Sequence, residues 1–276
     1  MTDRNDRSRI FRSLHETGCF VIPNPWDVGS ARFLEMLGFK ALATTSSGFA
    51  WSMGRRDNRV TLEESLVHMR VIAAAVDVPV NADFEGGFAV DPEGVAANVG
   101  KAATTGVVGL SIEDSTGHAA DPLFDFELSV ERIRAARGAI DADGSGVLLT
   151  GRSEGFIVGR PDLRQTIRRL EAYAEAGADC LYAPGLQSID DIGAVVRAVA
   201  PRPVNVLVWS DFATVADLAE AGVRRISVGG ALARTAWTGF IRAATEMAEQ
   251  GTFGGMSTAT SSAEIERAFL TDRGSG

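Results

Sequence analysis

A chain of 276 residues, 45% hydrophobic and 23% charged, has enough apolar material for one large core, and a single domain over residues 1–276 is expected. A formal net charge of −9 with no lysine/arginine run argues against a nucleic-acid face, which needs a basic surface. No apolar run approaches the roughly 18 residues of a membrane helix, and the polar start "MTDRNDRSRIFRSLHETG" lacks a signal peptide's apolar core, so a cytoplasmic protein is expected.

Along the chain, short β-branched runs alternate with stretches rich in Ala, Leu, Glu and Arg. The first run, "CFVIPN", ends at Asn24 and precedes the helical "GSARFLEMLG". The second, "KALATT", ends in "TTSSG" (Thr44 to Gly48), which reads as a turn, and "TLEESLVHMRVIAAAV" follows. The third, "VPVNAD", ends on Asp83 and Glu85, ahead of "DPEGVAANVGKAATTG". The fourth, "VVGLSIED", ends at Glu113 and Asp114, ahead of "SVERIRAARGAI". The fifth, "GVLLTGR", ends at Arg152, ahead of "LRQTIRRLEAYAEAG". The sixth, "DCLYAP", ends at Pro184, ahead of "SIDDIGAVVRAVA". The seventh, "RPVNVLV", carries Asn205, and "DFATVADLAEAG" follows. The eighth, "RRISVGG", leads into "ALARTAWTGFIRAATEMAEQ".

Strands alternating with helices indicate a parallel sheet, and these strands read as continuous apolar runs, as expected when both faces are buried. Several helices end in Gly just before the next strand, in "MLGFK", "TTGVV", "EAGAD" and "EAGVR", where glycine takes the left-handed position past the last turn. Eight such pairs in about 250 residues predict an α/β fold, a (β/α)8 TIM-type barrel. An extra C-terminal helix, "SSAEIERAFL", and a frayed "TDRGSG" complete it. The alternative is an open doubly wound sheet, but no GxGxxG follows the first strand. Cys19 and Cys180 have no ligand spacing and read as buried free thiols.

A barrel of this kind carries its active site at the C-terminal ends of its strands. Asp83, Glu85 and Glu113 come from neighbouring strand ends and converge on one rim. Three like charges in a small volume need a cation or raised pKa values. With oxygen donors only, the expected cation is hard: Mg2+, with Mn2+ as a substitute, some carboxylates reaching it through water. Gly86 and Gly87 allow the backbone to turn tightly away. Arg152 offers a guanidinium fork for a carboxylate or phosphoryl group, and the turn Thr45, Ser46, Ser47 offers hydroxyls and backbone N–H groups to an anion. Each has a plainer reading alone: an ion-pair partner, a turn, a solvated loop mouth. Their shared position at the strand ends favours a site for a small anion with two charged ends. His118, in the loop after strand four, is either an exposed loop residue or an acid/base that acts on loop closure. His68 reads as a packing or surface residue and His15 as structural. Trp51 reads as a pocket wall or a packing aromatic. The only lysines, Lys40 and Lys101, do not end strands, which disfavours a Schiff-base enzyme.

The motifs "NPWDVGSARFLEMLGF", "TTSSGFAWSMGRRD", "VNADFEGGF", "LSIEDSTG", "GRSEGF", "VNVLVW" and "GVRRISVGGAL" together resemble the isocitrate lyase/phosphoenolpyruvate mutase superfamily, over roughly residues 18–245 and in the family's order. The resemblance implies a barrel that assembles as a homo-oligomer, a dimer or tetramer whose eighth helix swaps onto a neighbour. It implies chemistry on C–C or P–C bonds next to a 2-oxo acid, through an enolpyruvate-like oxyanion held on Mg2+. It places the direct metal ligand on Asp83 and the carboxylates that hold metal-bound water on Glu85, Glu113 and Asp57. It places the substrate clamp on Arg152, the anion-binding loop on Thr45, Ser46 and Ser47, and a substrate-side amide on Asn205.

Two departures narrow the chemistry. The loop after strand four, "EDSTGHAADPLFD", lacks the Lys and Cys of the isocitrate and methylisocitrate lyases and the Lys with Asn or Thr of the mutases. Pro184 replaces the acid often found after strand six. The expectation is therefore a Mg2+-dependent lyase or decarboxylase for a small 2-oxo or 2-hydroxy carboxylate. Arg152, Glu113, Ser46 and His118 are the candidate catalytic residues; Thr45, Ser46, Ser47, Asp83, Arg152 and Asn205 are the candidate substrate contacts. A P–C bond enzyme and a barrel that binds a dicarboxylate without turnover are the alternatives.

Overall fold

The computed structural model describes residues 3–270; the "TDRGSG" end lies outside them. Eight strands, β1 (Phe20–Ile22), β2 (Leu42–Ala43), β3 (Val80–Asp83), β4 (Gly109–Glu113), β5 (Leu148–Arg152), β6 (Cys180–Tyr182), β7 (Val204–Leu207) and β8 (Arg225–Ser227), form one parallel sheet in the order β1-β8-β7-β6-β5-β4-β3-β2. Its two ends meet: Ala43 N donates to Pro23 O at 3.0 Å, and Asn24 Nδ2 donates to Thr44 O at 2.9 Å. The sheet thus closes into a (β/α)8 barrel.

Helices α1 (Arg4–Glu16), α2 (Val28–Met36), α3 (Ser46–Ser52), α4 (Leu62–Ala75), α5 (Pro92–Ala103), α6 (Phe126–Asp143), α7 (Leu163–Glu175), α8 (Ile189–Val199), α9 (Val215–Glu220), α10 (Ala231–Gln250) and α11 (Ser262–Arg267) accompany it. Their starts are written locally. At α4, Thr61 Oγ1 accepts from Glu64 N while Glu64 Oε2 accepts from Thr61 N, a reciprocal cap that satisfies two otherwise unpaired donors. Their stops follow the glycines: Gly106 and Gly177, which precede β4 and β6, have φ of +96° and +104°.

The strands are not uniformly apolar. They alternate. Val80, Ala82, Leu110, Ile112, Leu149, Leu181, Val204, Val206 and Ile226 point outward into a core shared with Val95, Val99, Ile133 and Leu170 of the helices. Asn81, Asp83, Ser111, Arg152, Tyr182, Asn205, Arg225 and Ser227 point inward and line the barrel cavity. The period-two pattern escaped the sequence reading because Ala, Gly and Ser among the strand residues blur it.

α1 closes the lower end of the barrel. Phe11 is fully buried against Ile22, Ala43, Val108, Leu148 and Cys180. Arg4 Nη2 donates to Ala103 O at 2.7 Å and Arg7 Nη1 to Ala73 O at 2.8 Å, placing cations at the C-terminal ends of α5 and α4 where helix carbonyls lack partners. α10 behaves differently from the other long helices. Ala233 alone among its residues is buried, while Trp237, Phe240 and Ile241 stand exposed, Phe240 at 61%.

Candidate active site

Asp83 ends β3 on the inner face, and three donors fix its carboxylate. Ser46 N and Ser46 Oγ donate to Oδ2 at 3.0 and 2.9 Å, and Arg152 Nη1 meets Oδ1 at 3.1 Å. Thr44 Oγ1 accepts from Asp83 N at 2.9 Å. The "TTSSG" segment is therefore more than a turn: Thr45 Oγ1 caps α3 through Gly48 N at 3.3 Å, and Ser46 opens that helix. Thr45 Oγ1 and Ser47 Oγ are 3.1 Å apart, and all three residues face the cavity.

Arg152 is surrounded by acid. Its Nη1 also lies 3.1 Å from Glu113 Oε2, and its Nε lies 2.5 Å from Glu154 Oε1. Burial by itself would lower this guanidinium's pKa, but Glu113, Glu154 and Asp83 drive it well above the usual value. Glu113 is pushed far upward by burial, with Arg152 opposing; Glu154 rises for the same reason. Glu85 is pushed up to about 8 by burial first, then by Asp83 and Asp57. Asp57 is raised by loss of solvent and by Asp83. Its residue is exposed at the edge, and it lines two cavities at once. One, about 350 Å³, contains Ser46, Asp83, Arg152 and Asn205; the other, about 670 Å³, contains Glu85, Glu113, Arg132 and His118.

The carboxylates thus stand between two spaces. His118 is exposed and belongs to the second space, in a loop folded on itself by Phe124 N donating to Asp114 O at 2.9 Å and Thr116 N to Pro122 O at 3.0 Å. Asn205 lies deeper, its Nδ2 donating to Ser227 Oγ at 2.9 Å. The tight turn after Asp83 is made by Gly87 at φ +74°, but Glu85 (φ +47°) and Phe88 (φ +56°) also take the left-handed region, while Gly86 does not. This left-handed backbone at Glu85 sits at the site itself. The loop is held from below by Arg132, whose guanidinium donates to the carbonyls of Gly86, Ala89 and Val90 and lies 3.9 Å from the Phe124 ring centroid.

His15 and His68 lie away from the rim. His15 is buried beneath the barrel, and His68 stacks on Phe49 with ring centroids 3.8 Å apart. Trp51 lines the cavity wall. Glu154, Tyr182 and the Asp114 network were not assigned roles in the sequence. Asp114 accepts from Tyr173 OH at 2.7 Å, from Glu154 N at 2.7 Å and from Arg169 Nη1 at 3.1 Å, so it turns the backbone that carries Glu154. Only the spacing in "GRSEGF" hints at Glu154, two residues beyond Arg152.

Among the described residues, no three Asp, Glu, His or Cys side chains are placed to ligate one ion together. The donor set nevertheless fits a hard cation bound by one carboxylate directly and by others through water: all oxygen donors, Asp83 preoriented by Ser46, and neighbours whose raised pKa values measure what a nearby positive charge would relieve.

Comparison with known proteins identifies the family of this barrel. A solved structure from Burkholderia cenocepacia J2315, described only provisionally as a lyase/mutase, superposes with a TM-score of 0.93 at 48% identity over 97% of each chain. An uncharacterized Mycobacterium tuberculosis (strain CDC 1551 / Oshkosh) protein is 33% identical over 79% of this chain and 81% of its own. An oxaloacetate decarboxylase of Bradyrhizobium diazoefficiens is 30% identical over 72% of this chain and 69% of its own. The profile of the family described as phosphoenolpyruvate phosphomutase matches residues 11–248, and the chain belongs to that family, within the isocitrate lyase/phosphoenolpyruvate mutase superfamily of lyases and mutases.

Proposed function

We propose that this protein is a Mg2+-dependent lyase or decarboxylase that cleaves a C–C bond next to a 2-oxo or 2-hydroxy carboxylate. The observation that carries the reading is the junction of Asp83, Glu113 and Glu154 on one guanidinium, Arg152, at the rim of a cavity of about 350 Å³. A bound Mg2+, or Mn2+ in its place, would supply a Lewis acid for the oxygen that becomes negative as the bond breaks. Asp83 would hold it directly, with Glu85, Glu113 and Asp57 holding its waters. The chain's own groups do the rest. Ser46 fixes the rotamer of Asp83, so the ligand needs no reorganisation when charge develops. Arg152, kept fully charged by its acids, orients the substrate carboxylate from the opposite side. His118 borders the same second cavity as Glu85 and is the candidate for proton transfer there. The sequence relationship to an oxaloacetate decarboxylase supports this substrate range.

The test is release of pyruvate or glyoxylate from oxaloacetate, methylisocitrate, 4-substituted malates and phosphonopyruvate, with and without EDTA. Release from one acid, abolished by EDTA and by Arg152→Ala, is the expected result. Cleavage of phosphonopyruvate alone would transfer the site to P–C chemistry. Metal-dependent oxalate binding with no release from any acid would leave a binding barrel.

We infer further that the protein works as a homo-oligomer in which a second copy covers the exposed face of α10. Trp237, Phe240 and Ile241 of that helix continue into Phe253 (67% exposed) and Met256 of the following turn, a larger run of apolar surface than scattered exposed side chains make.

A further inference from the structure

Below the rim, the cavity that holds Asp83 and Arg152 continues along the barrel axis, where Asn81, Ser111, Asn205 and Arg225 line it. Arg225 is 3% exposed, and each of its partners is neutral. Its Nε donates to Asn205 Oδ1 at 2.9 Å and its Nη2 to Thr150 Oγ1 at 3.0 Å, while Nη1 lies 3.3 Å from His15 Nε2. His15 Nδ1 sits 2.7 Å from the Phe11 carbonyl oxygen, so Nδ1 carries the proton and Nε2 turns a lone pair toward Arg225. Burial, then the charge of Arg225, holds the imidazole pKa down to about 3, which keeps His15 a neutral acceptor.

Among the described residues, no carboxylate pairs with Arg225, whereas Arg152 above it has three. A buried charge without a counter-charge is costly, and proteins resolve that cost by pairing it. A guanidinium has five N–H donors; the three contacts above leave one on each Nη. The Asn81 Oδ1 atom, on the same wall, is buried and without a hydrogen-bond partner. Arg225 therefore brings an unpaired charge to the wall of a cavity that also holds Asp83 and Arg152, whereas Asn81 Oδ1 is turned toward Gly109 and Phe11 at the closed end.

We propose that Arg225 is a specificity residue at the floor of the site, pairing with a second anionic group of the substrate. For a substrate with two charged ends, the new element is the second contact: one end meets Arg152 and Ser46 at the rim, and the other meets Arg225 beside the Asn205 amide. This rests on the reading of the rim given above. Arg225 also fixes that amide, because its Nε–H claims Oδ1 and leaves Nδ2 to donate. A purely structural arginine that pins α1 through His15 would have the same protein partners but no effect on ligand choice.

The experiment is isothermal titration of the full chain with Mg2+ present, using (S)-malate and 2-hydroxybutyrate. These differ in one carboxylate replaced by a methyl group. Oxalate, a short dianion that reaches the rim alone, reports separately on the metal. The wild-type chain is expected to bind malate about 10- to 100-fold more tightly than 2-hydroxybutyrate, the range of a charge-assisted hydrogen bond. Arg225→Met should abolish that preference, and Arg225→Lys should keep part of it. Equal affinity for the two acids in the wild-type chain overturns the proposal and needs no variant, so a poorly folding Arg225→Met does not shield it. A preference that survives intact in Arg225→Met overturns it as well. Oxalate binding indifferent to Mg2+ would overturn the metal reading instead, while the comparison of the two acids still decides the role of Arg225.

Discussion

Asp83 receives both the backbone and the hydroxyl of Ser46, so Ser46→Ala removes one donor and leaves the other. The expected cost is about 1–1.5 kcal/mol, roughly tenfold in Mg2+ affinity or kcat/KM, with unchanged stability. Loss of folding in place of loss of affinity would mean that the hydroxyl serves α3 and not Asp83. Glu85 makes a pH prediction. Its carboxyl is neutral below about 8 in the folded chain, so Mg2+ affinity should climb as pH rises through that value, with a proton released on binding. Because the folded pKa lies above the ordinary 4.5, the same group costs stability as pH rises from that value toward 8. Glu85→Gln should flatten both dependences, read by titration and by urea midpoints across pH. Asp114→Asn addresses the support beneath Arg152. It leaves the half-buried Arg169 with its main counter-charge gone and the fully buried Asp114 site short of an acceptor, and about 3 kcal/mol of stability should be lost, seen as a lower urea midpoint at constant slope. Much of the rim was legible at this scale, because a charged residue at the end of an apolar run is conspicuous: Asp83, Glu113 and Arg152 announce themselves. Glu154 and Arg225 do not. Glu154 lies past the strand, where a sequence does not say which way the chain turns. Arg225 sits in "VRRIS", where two adjacent arginines look alike although Arg225 is buried and Arg224 reaches the outside to bond Gly18 O at 3.0 Å.

The eight strands and their following helices were readable as elements because each obeys a local rule: β-branched run, cap, amphipathic stretch, terminal glycine. Two helices were not. α1 is the polar "RNDRSRIFRSLHE", whose single deeply buried apolar side chain is Phe11, and its role comes entirely from the barrel end it plugs. α3 is only seven residues long and contains Ser, Gly and Trp; the Thr45 cap and the Ser46–Asp83 bonds hold it, and both are tertiary consequences of barrel closure. The dependence can be measured. Phe11→Ala should cost about 3–5 kcal/mol by leaving a cavity between α1 and the strand ends, a large effect for a residue outside the barrel. A loss under about 1 kcal/mol would show α1 to be a loosely docked appendage.

For the whole molecule, α10 is where the single chain looks incomplete. If a second copy covers it, the double substitution Phe240→Glu with Ile241→Glu should move the protein to a smaller species in size-exclusion chromatography with light scattering. A wild-type chain that already elutes as a monomer would refute the assembly. Among the described residues, no helix is long and apolar enough to cross a membrane, so this apolar face is not a span.

The plug formed by α1 also has a kinetic meaning. With Phe11, Leu148 and Cys180 filling the lower end, the cavity around Asp83 and Arg152 is closed from below. If the proposed cleavage takes place there with one end of the substrate on Arg225, the fragment nearer the rim must leave before the fragment at the floor. Departure would then be ordered, and the inner fragment, last out, should be the product that competes directly with substrate for the empty enzyme. Product-inhibition patterns would then identify which half of the molecule lay against the floor, without any further structure.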